Sequence, residues 1–226
     1  MVRTVFLLFI AFLFACNVPN QRQRNAQLAE SVFKQGSLEM QEGSKTLFSD
    51  SLAREIHYRL ALDLMNKAIE LDSTKEEYSA YHADLYDGLG IYDSALLWAL
   101  KGRPLQVVPI DSFNYSRNSW KIAMWYFRMG DTTNGKISAM QSLKIDPSWR
   151  VAMAEKLFDL SNDIYERPFR GMHAIESSCL VSLNILEFSF ALTASNRGVK
   201  TEKYKNAIKD RIFNCGQGRL ATVPSK

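Results

Sequence analysis

The chain has 226 residues, of which 46% are hydrophobic and 23% charged, with a formal charge of +4. That balance is ordinary for a soluble globular protein. Lys and Arg are spread along the chain rather than clustered, so nucleic acid is a poor partner and no acidic partner is implied.

The first element is apolar. Met1–Cys16 carries one basic residue, Arg3, an unbroken apolar run from Val5 to Phe14, then Ala15 and Cys16. Such a run is too short to span a bilayer as a helix, and its flanks are those of an export signal. Leu13, Phe14, Ala15 and Cys16 resemble the lipobox of bacterial lipoproteins. The resemblance implies a signal peptide over 1–15, cleavage before Cys16, a lipidated (palmitate-type) thiol at Cys16, and a working place outside the cytoplasm on a membrane. Residues 16–30 then read as a lipid-anchored flexible tether, because Asn17–Gln27 is polar with one proline and almost no apolar residue.

Helical periodicity follows. Leu60, Leu64 and Ala68, with Ala61 and Leu71, have the spacing of a buried helix face. No period-2 run bounded by turns is present. The one β-flavoured fragment, Gln106–Ile110, is interrupted by Pro109.

Within the helical region the chain repeats itself. Ala83, Tyr86 and Gly90 recur as Ala123, Tyr126 and Gly130, each displaced by 40 residues. A small residue admits a neighbouring helix, the tyrosine fills the groove between helices, and the glycine ends the helix in a left-handed turn. These residues resemble the first helix and turn of a tetratricopeptide repeat. Ala95 and Ala99, then Gly135 and Ala139, take the places of that family's second helix, and Ser142–Pro147 its closing stretch, with Ile69–Ser73 matching earlier. The family period is about 34 residues, so extra residues are expected in a loop over Gly102–Asn118. An opening helix for the first unit is expected near Lys45–Arg54, and a fourth opening helix at Val151–Leu160.

The apolar stretch 172–194 holds Glu176, Glu187 and His173 on one face, which suits a central helix of the body better than a membrane span. Tyr204, Ala207, Ile208 and Ile212 form an apolar face backed by Lys200, Lys203, Lys205, Lys209 and Arg211. That is the form of a capping helix, with an interfacial role against the bilayer as the other reading. Cys179 and Cys215 either pair, as an oxidising compartment permits, or Cys179 stays a buried free thiol. The expected fold is all-α. Tetratricopeptide-like helical hairpin repeats fill 31–170, C-terminal packing and capping helices 171–214, and a flexible tail 215–226.

No catalytic arrangement emerges. His57, His82 and His173 are isolated and lack metal-ligand spacing, and no nucleophile elbow, metalloprotease or phosphate-loop motif is present. The expectation is a non-enzyme without cofactor or metal. The resemblance implies instead a concave surface lined by the opening helices. Its inward positions map onto Tyr81, Asp84 and Gly88, onto Trp120, Lys121, Met124, Phe127 and Arg128, and onto Ala154, Glu155 and Phe158. Trp120, Met124 and Phe127 form a strip at i, i+4 and i+7. It is either core between helices or an aromatic anchor, flanked by Lys121 and Arg128, for an acidic protein segment. The functional expectation is a cell-envelope lipoprotein that binds proteins as an adaptor or scaffold, on the periplasm-facing side of the outer membrane. In layout it is similar to the tetratricopeptide lipoprotein of the outer-membrane protein assembly machinery. The alternative is a periplasmic immunity protein or inhibitor that neutralises one toxin or enzyme.

Overall fold

The computed structural model describes residues 21–46, 50–102, 112–166, 175–193 and 201–216. These residues form nine α-helices and no strand. In chain order they are α1 (Gln21–Lys45), α2 (Ser51–Leu71), α3 (Glu76–Gly88), α4 (Tyr92–Gly102), α5 (Ser112–Arg128), α6 (Thr132–Ile145), α7 (Arg150–Glu166), α8 (Ile175–Thr193) and α9 (Glu202–Gly216). The expectation of an all-α fold holds. The chain divides into two compact units, Met1–Gly90 and Ile91–Lys226. The expected signal segment and the expected lipidation position, Cys16, lie outside the described residues, as do Gln106–Ile110, His173 and residues 217–226.

In the first unit α1 and α2 run antiparallel. The tether expected over 16–30 becomes helix from Gln21 onward, because Ala29, Val32, Phe33 and Gly36 fall at i, i+3, i+4 and i+7 and all are buried. Of the helix expected near Lys45–Arg54, Lys45 ends α1, residues 47–49 lie outside the described ones, and Ser51–Arg54 open α2, which the Asp50 side chain caps by accepting from the Leu52 and Ala53 N–H groups. The buried face of α2 is Tyr58, Ala61, Leu62, Met65 and Ala68, and Leu60, expected on it, is exposed. The Tyr58 ring lies in a slot between two glycines. A Cβ on Gly43 would stand 2.6 Å from that ring, and one on Gly88 of α3 only 2.1 Å. On the same α1–α2 face, Glu39 meets the His57 Nδ1 at 2.7 Å.

In the second unit α5 with α6, α7 with α8, and α8 with α9 run antiparallel. Ser116 and Ser142 exchange bonds across α5 and α6, each hydroxyl donating to the other's carbonyl, at 3.2 and 2.9 Å. Ser161 and Ser182 do the same across α7 and α8, at 2.9 and 2.8 Å. Around these contacts lies one core, containing Trp120, Ala123, Phe127, Leu143, Met153, Leu157, Ile164, Ile185 and Leu192. The loop expected as far as Asn118 ends earlier, since α5 starts at Ser112 and its polar start places Ser116 against Ser142 rather than in water.

The 40-residue displacement recurs in the hydrogen bonds that close the two turns. Leu89 N–H donates to Leu85 O and Gly90 N–H to Asp87 O, as Met129 N–H does to Trp125 O and Gly130 N–H to Phe127 O. Gly90 has φ 74° and Gly130 φ 86°, a region that side chains with a Cβ disfavour. The ends of α2 and α6 also match. Asp72 and Asp146 are extended caps, and each carboxylate accepts from the N–H and hydroxyl two residues on, in Thr74 and Ser148. Those bonds hold both carboxyls below the usual Asp range.

Helix α9 closes the second unit through Cys179 and Cys215, which form a disulfide with Cα atoms 5.9 Å apart. The flexible tail expected from 215 onward therefore begins no earlier than the end of the helix at Gly216. The inner face of α9 keeps Tyr204 buried and Ala207 and Ile208 half-buried, as expected, but Ile212 is exposed and Arg211 is buried in its stead. Cys215 and Arg211 stand four apart, so a helix held at Cys215 turns Arg211 inward and rolls Ile212 to the flank. The guanidinium donates to Ser161 Oγ at 2.9 Å, to Ser182 Oγ, and to Asn162 Oδ1 at 2.5 Å, and it lies 4.1 Å from the Tyr165 ring centre. Desolvation pulls its pKa down.

Two measurements check this description. Gly90→Ala and Gly130→Ala should each lower unfolding free energy by about 1–2 kcal/mol, read from denaturant melts, because the turn then forces a Cβ into left-handed backbone. Replacing Cys179 and Cys215 together by Ala should cost about 2–4 kcal/mol, with α9 amides gaining most in hydrogen exchange.

Candidate functional site

The residues expected to line a groove do not share one environment. In the first unit Tyr81 is half-buried and packs edge-on against Phe33 of α1, with ring centres 4.9 Å apart. Asp84 is half-buried nearby. Burial pushes the Tyr58 phenol up, and the carboxylates of Asp87 and Asp84 add to that rise. Gly88 is covered by the Tyr58 ring. This side of α3 is therefore largely packed against the chain's own helices.

In the second unit the strip of three separates. Trp120 is 6% exposed and Phe127 fully buried, both in the main core, so core is the right reading for these two. Phe127 faces Gly135, where an added Cβ would come within 2.7 Å of the ring, and lies 6.1 Å from the Phe188 ring. Met124 is half-buried against the same core, and Lys121 is half-buried. Arg128 donates from Nη1 to Tyr92 Oη at 3.0 Å, and its guanidinium stands 5.0 Å from the Tyr92 ring centre. The cation pins α5 to α4. Of the fourth set, Ala154 is buried and its carbonyl accepts from Ser189, while Glu155 is exposed. Phe158 packs edge-on against Tyr204 of α9 at 5.0 Å. The capping helix thus covers the side of α7 that the family pattern assigns to a partner.

Apolar surface stays open on several helices, including Leu52, Ile56 and Leu60 of α2, and on α4 and α6 it falls at matching positions. Leu97 (66% exposed) and Leu100 lie on the outer side of α4, and Ile137 (51%) and Met140 on that of α6. Leu97 to Ile137 and Leu100 to Met140 are again displacements of 40 residues. The inner sides of the same helices are Ala95 and Leu96 in α4, and Gly135, Ala139 and Leu143 in α6. Both helices therefore have one packed side, with Leu97 and Ile137 pointing away from it and Leu100 and Met140 on its border, four residues after Leu96 and three before Leu143. At the matching places of the first unit stand Asp63 and Asn66, so the open pair belongs to α4 and α6. Scattered exposed apolar residues are normal, but here the same pair is exposed at positions 40 residues apart on two helices. The displacement that found Gly130 could have found Ile137 and Met140, had it been applied to the outer face as well as the inner one.

Among the described residues no group of three His, Cys, Asp or Glu side chains is placed to hold a metal ion. No helix among them is long and apolar enough to cross a membrane. No family model matches the chain, and no curated protein matches it either.

The burial pattern predicts that Trp120→Ala and Phe127→Ala each cost about 3–5 kcal/mol of stability, measured by thermal or denaturant unfolding. Serine at Leu97 or Ile137 should change stability by no more than about 0.5 kcal/mol.

Proposed function

We propose that this chain is a non-enzymatic lipoprotein of a bacterial cell envelope. It binds other envelope proteins as an adaptor or scaffold, through tetratricopeptide-like helical hairpins. The observation that carries this reading is the exposed apolar pair repeated on α4 and α6, on helices whose other face is already packed. Such an open face offers apolar anchors to a partner's helix or extended segment. Docking therefore falls on the outer sides of the second helices rather than on Trp120 and Phe127. The lipobox-like Leu13–Cys16 supports an anchored, exported chain. The Cys179–Cys215 disulfide supports a compartment where disulfides persist. The equivalent turns at Gly90 and Gly130 support the repeat.

Photo-crosslinking residues placed at Leu97 and Ile137 should capture envelope proteins in cells, while the same group at exposed Lys156 of α7 captures none of them. Equal yields from all three positions would remove the docking face. Capture of one toxin alone would replace the scaffold with an inhibitor. Labelling with a fatty-acid analogue should be lost on Cys16→Ser, and unchanged labelling would remove the lipid.

A further inference from the structure

The outer face of α9 has a chemistry of its own. With Tyr204, Arg211 and Cys215 turned inward, the helix is held in rotation, and what it shows outward is fixed. Lys205, Lys209 and Phe213 stand at i, i+4 and i+8 on that face, flanked by Ile212. Both lysines are exposed, and Ile212 and Phe213 are 54% and 58% exposed. The disulfide brings the turn of α8 that carries Leu180, 59% exposed, beside the turn of α9 that carries Ile212 and Phe213. Three large apolar side chains thus surround one end of the helix pair, with a row of lysines leading to them. Glu202 pairs with Lys205 at 3.0 Å in the first turn, and Asp210 accepts from Asn214 on the flank. Lys209 has no ion pair among the described residues.

Charge along the chain points the same way. Residues 194–226 contain eight Lys and Arg (Arg197, Lys200, Lys203, Lys205, Lys209, Arg211, Arg219, Lys226) against Glu202 and Asp210, a net +6. The preceding 193 residues therefore carry −2 of the total +4. The even spread of Lys and Arg expected above thus fails at the C-terminal end, where Lys203, Lys205 and Lys209 are exposed on α9, Arg211 is buried, and the other four lie outside the described residues.

We propose that the outer face of α9 is a second membrane contact, in which Lys205 and Lys209 meet anionic phospholipid headgroups while Phe213 and Ile212 enter the interfacial layer. An anionic bilayer surface matches both halves of the face, a row of cations and a short apolar wedge. A helix lying on headgroups needs its lysines along its length and its aromatic side chain pointing into the acyl boundary, and α9 has that order. The contact rests on the envelope reading for its access to a bilayer. It adds that the array is oriented on the membrane by its own surface as well as by the lipid at Cys16.

Phe213→Trp in the full chain is the probe, mixed with vesicles whose acyl chains carry bromine as a short-range quencher. Relative to the parent chain, the added emission should shift to shorter wavelength and be quenched in vesicles containing phosphatidylglycerol, and several-fold less in phosphatidylcholine alone. Lys205→Gln with Lys209→Gln, or raised salt, should abolish the difference. Phe213 is exposed, so an unchanged melting temperature for Phe213→Trp shows the fold intact. Emission that stays water-like and unquenched with both vesicle types overturns the membrane contact. So does emission that changes only when envelope proteins, and not lipid, are added. Failure of the fatty-acid label at Cys16 overturns the lipid anchor alone, because the quenching reads the α9 face whether or not the chain is lipidated.

Discussion

Two helices can approach only as closely as the residues between them are small, and every polar atom trapped at the contact must then find a partner there. In the second unit serine meets both demands at once. The hydroxyls of Ser116 and Ser142, and of Ser161 and Ser182, each reach the second lone pair of a carbonyl on the facing helix. The bonds are reciprocal, so neither helix can slide along the other without breaking two at once. Ser189, donating to the Ala154 carbonyl at 2.5 Å, adds a third tie across α7 and α8. Removing one hydroxyl of a pair strands little, but a larger side chain would separate the helices and open the core around Leu157 and Ile185. The first unit solves the same problem without hydroxyls, by giving up a Cβ at Gly43 and Gly88 so that Tyr58 can lie between them.

The Ser161–Ser182 pair has a second use. Its two hydroxyls, with Asn162, form the acceptor set that takes Arg211 from α9. Among the described residues no carboxylate lies within ion-pair range of this guanidinium, which is an expensive way to bury a charge. The cost is reduced by four donated hydrogen bonds and by the face of Tyr165. Lysine could not replace it, since a single ammonium cannot reach Asn162 and both serines while stacking on a ring. The disulfide one turn away fixes the helix rotation that makes this geometry possible. Covalent and polar ties therefore act on the same two turns of α9, and its outer face is presented as a rigid surface.

Residues with a local job were legible in the sequence. Gly90 and Gly130 announce left-handed turns, and Ala83 and Ala123 announce close packing, because one residue in each case suffices for the effect. Those with a relational job were not. Helical phase places Trp120 and Phe127 on one side of α5, yet it cannot say whether that side meets the facing helices or a partner. The answer depends on Gly135 of the next helix and on Phe188, which is remote in sequence and adjacent in space. Arg211 was assigned to water because charge counts against burial, and the three acceptors that reverse this lie 29 to 50 residues away. The start of α1 was hidden for another reason. Its polar composition suited a tether, and only the spacing of Ala29, Val32, Phe33 and Gly36 marked the buried side.

A helix in a minimal bundle needs one apolar side, and a second one is a liability unless something covers it. Helices α4 and α6 carry that liability at equivalent positions, with Leu97, Leu100, Ile137 and Met140 all open. The two positions are apolar on both helices, whereas Asp63 and Asn66 stand at the corresponding places of α2. Packing within the unit does not require them, since Ala95, Leu96, Ala139 and Leu143 already fill the inner side. On the proposed adaptor reading, what covers them is a partner. With the inner residues used for packing within the unit, the outer ones are what these two helices have left to offer, and it is there that the proposed docking face is placed.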